Sequence, residues 1–448
     1  MLWMKLEELR VRGTRKIATF TSNYRDFFWY RFLINLLLLL AIWMIRFPHV
    51  FKKLYAEDGV TLLQGTYEND HLQEFVSPVG GFSQLVARIG ARFMRLFPIE
   101  YAPASAATFT ALCMAFLSSL IYQYSKSILK NSKYQCALSI FFLFIPIANF
   151  NSVGTICNLY FYFMTAAGVL LFSNDASEQR RFSKKNAVIF FATLTNPLCL
   201  FLAPLILGRM LLERTPTIKV QLKFSDLVWA IGMLLQFCFI IAFSLGKRTP
   251  HPPSSILSTF YLFLDRGIGS ALIPNWGFVS GDRNNAEFEN TLFTQSLLMR
   301  ALLSFVILVV SASLMFLKIR TSGIQTSLPA IVLFTTSLMF SLLIGLTFSV
   351  EPRYMIFSSF FIFYAVVSLI STLKSSFVNK VFLVWFVVLI SMSLTPSNYI
   401  SKGPDWQIKF NSEKEACNSD KEKRYTQIRI MPLNGEWIVK IPCTELAP

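Results

Sequence analysis

Residues 186–210 read NAVIFFATLTNPLCLFLAPLILGRM, an apolar stretch whose two flanks are both basic. Arg180, Arg181, Lys184 and Lys185 precede it; Arg209, Arg214, Lys219 and Lys223 close or follow it. Basic tethers mark one side of a membrane. The stretch is too short to cross twice, since one crossing needs ~20 residues. Its centre carries Thr195-Asn196-Pro197. Proline lacks a backbone donor and pushes the residue before it out of the helical region. The pattern predicts a re-entrant helical hairpin that dips into the membrane and returns on the same side. Broken backbone at membrane depth survives only against protein or a wet cavity, so Asn196 is expected to line a cavity. One ordinary kinked span followed by an untypical basic loop is the other reading of the same residues.

The rest of the chain sets that hairpin in a membrane. Of 448 residues, 54% are hydrophobic and 15% charged, with a mean hydropathy of +0.51. A soluble chain carries ~25% charge, so a very apolar soluble enzyme is a poor fit. The net charge of +17 comes from short basic tethers between apolar runs. No nucleic-acid-binding motif interrupts them, so the charge implies no nucleic-acid partner. Residues 1–26 are polar and basic, and the apolar run after them exceeds the ~7–15 residues of a cleavable signal. They are expected to form a cytoplasmic N-terminus ahead of a signal anchor.

Working along the chain, apolar spans are expected at about 27–46, 101–122, 136–148, 156–173, 225–245, 297–317, 327–349, 355–373 and 381–396. The expectation is an all-α polytopic membrane protein with about nine transmembrane helices plus the hairpin, the membrane domain covering 27–396. Long extracytoplasmic loops fall at 47–100 and 246–295, the second rich in Gly and Pro. An odd number of crossings puts the polar tail, 397–448, on the side opposite the N-terminus. The cysteines agree. Five lie in or beside apolar spans, whereas Cys417 and Cys443 stand alone in the tail. An isolated pair there suits a disulfide in an oxidising compartment. Counting 186–210 as a full span would place that pair in the cytoplasm.

Four groups of residues could carry chemistry. Glu57-Asp58-Gly59 opens the first outer loop. A carboxylate at a low-dielectric interface has a raised pKa, which suits a general base. Its neighbour could orient a substrate hydroxyl or help to hold a divalent cation through oxygen ligands; the sequence assigns no metal ligands. Gly59 would let backbone approach a substrate closely. The plainer reading has both carboxylates in water or neutralising Lys52 and Lys53. Arg88, Arg92 and Arg95 share a helical face opposite Leu85, Val86, Ile89 and Phe93. That pattern reads as an interfacial amphipathic helix, its arginines holding a lipid phosphate or anionic headgroups. Glu351-Pro352-Arg353-Tyr354 forms a short outer turn in which Arg353 is either a phosphate clamp or, with Tyr354, an interfacial anchor. Trp276, Trp406 and Trp437 suit either sugar stacking or a core. The three His residues match no metal spacing, and no nucleotide-binding loop or serine-nucleophile elbow occurs.

At these residues the chain resembles the GT-C superfamily of membrane glycosyltransferases. More narrowly, it resembles the serotype-converting O-antigen glucosyltransferases of enteric bacteria and their phages. The likeness runs over most of the chain: Ala56-Glu57-Asp58-Gly59, Cys157-Asn158-Leu159-Tyr160 at the start of the fourth span, Asn196-Pro197, Arg353-Tyr354, and a tail holding Gly403-Pro404-Asp405-Trp406, Cys417, Trp437 and Cys443. It implies an inner-membrane enzyme with a periplasmic C-terminus. The donor would be a polyprenyl-phosphate sugar, with glucose the expected sugar, and the acceptor a lipopolysaccharide O-antigen or similar glycan. Asp58 or Glu57 would take the acceptor proton, with inversion at the sugar. Arg353 and Tyr354, with the Arg88/Arg92/Arg95 face, would hold the donor phosphate, and Asn158 and Asn196 would line the cavity. The tail and loop 246–295 would bind the acceptor. The alternatives are an O-antigen polymerase and a non-enzymatic transporter of lipid-linked sugars. A transporter would be expected to carry charges within its spans and an internal repeat.

Overall fold

Each apolar run folds as a helix in a computed structural model of the chain. It describes residues 28–68, 75, 77–78, 81–148, 153–174, 183–213, 222–243, 259–261, 263–273, 295–347, 352–373, 375–394, 404–420, 422–431 and 437–446. The N-terminal stretch 1–26 and most of the loop 246–295, Trp276 included, lie outside the described residues. The helices are α1 (Phe28–Arg46), α2 (Leu85–Met94), α3 (Ala102–Ser125), α4 (Ser132–Phe144), α5 (Leu159–Phe172), α6 (Lys184–Thr195) and α7 (Ala203–Glu213). They continue with α8 (Phe224–Phe243), α9 (Gln295–Ser322), α10 (Ile324–Thr347), α11 (Met355–Ser371), α12 (Ser376–Ser393) and α13 (Trp406–Ser419). Two antiparallel strands, β1 (Tyr425–Arg429) and β2 (Ile438–Pro442), complete the tail, with Gln427 opposite Lys440.

The chain is thus a helical protein with a bilayer as its natural setting. Among the described residues, six helical stretches are long and apolar enough to cross a membrane: Phe28–Arg46, Ile99–Ser125, Phe224–Phe243, Leu302–Thr321, Ile324–Leu346 and Ser376–Ser393. α5 and α11 are shorter apolar helices. α5 is buried along its whole length, as a helix apolar on every side must be. Aromatic pairs knit the interior, Phe142 of α4 meeting Tyr162 of α5 edge-on and Phe141 of α4 stacking on Phe363 of α11 at 3.9 Å. α1, α8, α9 and α12 instead turn Leu37, Leu234, Phe316 and Val384 outward, each more than half exposed. Rows of such residues would be insoluble in water and fit lipid.

The break predicted at Asn196-Pro197 is present, and local chemistry explains it. Asn196 is extended, at φ −141° and ψ 113°, as a residue before proline prefers. Its side chain accepts from the Leu198 N–H at 3.0 Å, capping the 3-10 turn Pro197–Leu202 in which Pro197 holds the first position. The limbs α6 and α7 then start and finish at one end of α5. Lys185 Nζ donates to Ser173 Oγ at 3.2 Å, and Arg209 donates to the Leu171 carbonyl at 3.0 Å and to Asp226 at 2.6 Å. The apex lies further along α5, where Asn196 Nδ2 meets Met164 Sδ at 3.4 Å. There Thr195 Oγ1 accepts from the Val86 N–H at the start of α2, at 3.1 Å.

At the other end the tail packs onto the loop after α1. The Trp406 N–H donates to the Lys52 carbonyl at 3.1 Å, and Trp406 Nε1 to the Ile99 carbonyl at 3.1 Å. Met431 exchanges backbone bonds with Leu54 and Ala56, at 3.2 and 2.6 Å, forming a parallel bridge opposite Tyr55. Cys417 and Cys443 are joined in a disulfide that ties α13 to the end of β2. Trp406 is buried against Phe410, so this tryptophan belongs to a core rather than to a sugar-stacking surface.

Candidate active site

Asp58 opens a π-helical turn, Asp58–Leu63, just after α1, and only 1% of its surface is exposed. Its two oxygens accept from the backbone of the segment leading into α5: Oδ2 from the Ile156 N–H and Oδ1 from the Cys157 N–H, both at 2.8 Å. That segment turns at Gly154, whose φ of +71° disfavours any side chain. Burial raises the Asp58 pKa to about 7; the two backbone hydrogen bonds oppose the shift and the neighbouring Glu57 charge adds to it. A carboxyl group tuned there exchanges a proton near neutrality, which an ordinary one does not. Asp58 lines a narrow cleft of about 20 Å³ with Lys53, Tyr55, Ala106, Thr155 and Met431 among its walls. Burial lowers the pKa of Lys53; Asp405 opposes the shift and Lys52 adds to it.

Glu57 faces a different group. Its Oε1 lies 3.9 Å from Arg353 Nη1, and the same nitrogen donates to Asn158 Oδ1 at 3.4 Å. Arg353 reaches in from the 3-10 turn Pro352–Tyr354 ahead of α11, with its guanidinium 5.7 Å from the Tyr354 ring centre. Tyr354 in turn sits edge-on to Phe161 of α5. Asn158 is fully buried and also donates to Thr155 Oγ1 at 3.2 Å. Glu57 Oε2 is buried and accepts no hydrogen bond from the described residues, a state that buried oxygens seldom keep without a donor to hand. The site thus joins the turn after α1, the segment before α5 and the turn before α11.

The structure gives Arg88 in α2 and Arg95 at its end different partners. Arg88 is buried, 2% exposed, and donates to the Ser77 carbonyl at 2.8 Å. Arg95 pairs with Glu445 of the tail at 3.0 Å and lies over the Tyr67 ring at 4.2 Å. Arg92 follows Arg88 one turn later on the same helix. Of the face expected to be apolar, Val86 is buried, Leu85 and Phe93 are half-buried and Ile89 is exposed, while Ala87, Ala91 and Met94 are buried where α2 packs against α3 and α6. Asn196 spends its side chain on the helix cap and is not among the residues lining the Asp58 cleft.

Gly59 also has a role other than the expected one. A Cβ there would overlap Ile430 Cδ1 and lie 2.7 Å from Val439 Cγ2. The missing side chain therefore admits the tail sheet, not a substrate. Sequence reasoning missed the Ile156 and Cys157 amides, Lys53 as a cleft wall, and Gln84. Gln84 accepts from Cys157 Sγ at 3.4 Å and is the one non-glycine described residue with positive φ, at 22°. Backbone amides leave no signature in side-chain identity; only the Gly154 turn hinted at them. Among the described residues no group of three or more His, Cys, Asp or Glu side chains could hold a metal ion. Compared with known protein families, characterised proteins and solved structures, the chain matches none of them.

Proposed function

We propose that the chain is a membrane glycosyltransferase that moves a sugar from a polyprenyl-phosphate donor to a surface glycan on the extracytoplasmic side, with Asp58 as general base. The observation that carries this reading is Asp58 itself, buried beside a cleft with its pKa raised to about 7. Asp58 takes the proton of an acceptor hydroxyl as that oxygen attacks the anomeric carbon. The polyprenyl phosphate leaves from the opposite face, and the configuration inverts. Glu57 Oε2, with no donor among the described residues, accepts from a hydroxyl of the incoming sugar and orients it. A phosphate leaving group needs cationic stabilisation more than protonation. Arg353, held between Glu57 and Asn158, supplies it, and Lys53 adds charge from the cleft wall.

The acceptor fits a polar cleft of about 350 Å³ between α2 and the tail, with Tyr67, Arg95, Glu100, Lys414 and Glu445 on its walls. Mixed charge and an aromatic edge suit a neutral glycan chain better than an anion. The topology follows from parity. Tail and Asp58 loop pack together, so an even number of crossings separates them. Spans two to nine satisfy this when 186–210 is a re-entrant hairpin and fail when it is a full span. This supports nine crossings, a cytoplasmic N-terminus and a periplasmic tail in the inner membrane of a bacterium. The substrate pair expected from the resemblance is glucose on the polyprenyl carrier and the O-antigen of lipopolysaccharide.

The test is transfer from a polyprenyl-phosphate sugar to glycan in membranes, with linkage analysis of the product. Asp58→Asn should abolish transfer while folded protein remains. Full transfer by a well-folded Asp58→Asn variant would refute the base assignment. Chain-length change without side-branch addition would favour a polymerase instead.

A further inference from the structure

A second cleft lies at the end of the bundle remote from Asp58. It holds about 280 Å³ between α1, α3 and the start of α4. Ala106 lines the Asp58 cleft and Tyr122 lines this one. At 1.5 Å per residue along α3 they lie about 24 Å apart, too far for one small ligand to fill both.

Three cations line the cleft, Arg31, Lys126 and Lys130, and among the described residues no acidic one does. Arg31 is half-buried, its guanidinium held 3.9 Å over the Tyr122 ring. The deepest of the polar wall residues is Ser119, 1% exposed, whose hydroxyl accepts from Asn35 Nδ2 at 3.0 Å. Lys133, Lys184 and Lys185 belong to neighbouring helix ends, and Lys184 lies 3.6 Å over the Phe28 ring at the rim. Like charges gathered in a concavity focus a field that favours an anion. Apolar surface continues from the rim along α1, where Trp29 and Leu33 are each more than half exposed. An aromatic residue beside basic ones marks the depth of lipid headgroups, and basic pockets between membrane helices take phosphate headgroups.

We propose that this cleft is a binding site for a phosphate anion, carried as the headgroup of an anionic phospholipid whose chains lie along α1. Arg31 and Tyr122 form its fixed wall, Lys126 and Lys130 close over the phosphate, and Ser119 forms its floor. The site stands independently of the Asp58 chemistry.

The experiment uses the purified full chain in detergent, with phosphatidylglycerol or phosphatidylcholine added and retention read by native mass spectrometry. Phosphatidylglycerol should be retained in preference to phosphatidylcholine. The triple variant Arg31→Gln/Lys126→Gln/Lys130→Gln should weaken it about a hundredfold, taking each cation near the surface at its usual worth. Lys318→Gln/Arg320→Gln, at the end of α9, should leave it unchanged. Lys130 is exposed, so Lys130→Gln alone keeps the fold should the triple variant fail, and should cost about fivefold. Equal retention of the two lipids, or unchanged affinity in the Lys130 variant and a folded triple variant, would overturn the site. Inorganic phosphate separates the two sources of the anion. Displacement of the lipid below millimolar phosphate assigns the cleft to a free phosphate ester; resistance assigns it to the lipid.

Discussion

The pH profile of sugar transfer is the sharpest expectation. The perturbation is pH between 6 and 8, applied to the wild type and to Asp58→Asn and Glu57→Gln variants. Burial places the Asp58 pKa at about 7. A base works only when ionised, so about 9% of the chain is competent at pH 6 and about 91% at pH 8. Transfer should therefore rise about tenfold across that range. A solvated carboxyl group would be ionised throughout, and the profile would be flat. The Glu57 charge contributes to raising the Asp58 pKa, so Glu57→Gln should move the midpoint to lower pH. Folding stability should run the other way. The pKa of Asp58 is raised on folding, so its contribution is fully present below the unfolded value near 3.8 and is lost as pH climbs through about 7. The size is about 4 kcal/mol, taken from the span between those values. Asp58→Asn should flatten that slope and lower transfer by ~10²–10⁴. It also sets an amide NH₂ against the Ile156 or Cys157 N–H, at a cost of about 1–3 kcal/mol. Folded protein must therefore be quantified beside activity, by size exclusion and melting temperature. A flat wild-type profile from pH 6 to 8, with chemistry rate-limiting, would refute the reasoning.

Arg353→Ala should lower transfer or donor affinity by about tenfold to a hundredfold, the worth of a charged hydrogen bond, and Arg353→Lys by less; steady-state kinetics with varied donor reads both, and equal losses would argue against a phosphate role. Gly59→Ala should destabilise the chain by about 1–3 kcal/mol through overpacking against Ile430 and Val439. Protease cleavage within the tail should speed up, and an unchanged rate and melting temperature would show that the tail does not lean on Gly59. Cys417→Ser should cost about 3 kcal/mol for the loop it opens; reductant should lower the melting temperature of the wild type and leave the variant's in place.

Much of the helical plan was legible because hydropathy and helix breaking are local. The run from Phe28 to Arg46 needs no partner to be recognised as an apolar helix, and Asn196-Pro197 breaks a helix through its own backbone limits. The chemistry was less legible. Glu57 and Asp58 are adjacent carboxylates with one charge each, and sequence alone offers no ground for choosing between them. The loop at 153–157, about a hundred residues away, sets the two apart by giving its amides to Asp58 and leaving Arg353 to Glu57. Helical spacing likewise grouped Arg88, Arg92 and Arg95. Spacing is blind to what surrounds a helix, and here the Ser77 carbonyl takes Arg88 and the tail takes Arg95.

By itself, then, the sequence determined a membrane-type helical chain, the positions of its helices, the hairpin break and the isolated cysteine pair. Each depends on side chains within a few turns of one another. The tertiary structure alone decided that the tail lies on the Asp58 loop and that Gly59 is small to admit Ile430 and Val439. It alone decided that Asp58 is buried enough to hold a proton near neutrality. Burial and electrostatic environment are properties of the whole packed assembly, set by segments hundreds of residues apart, and no local pattern encodes them.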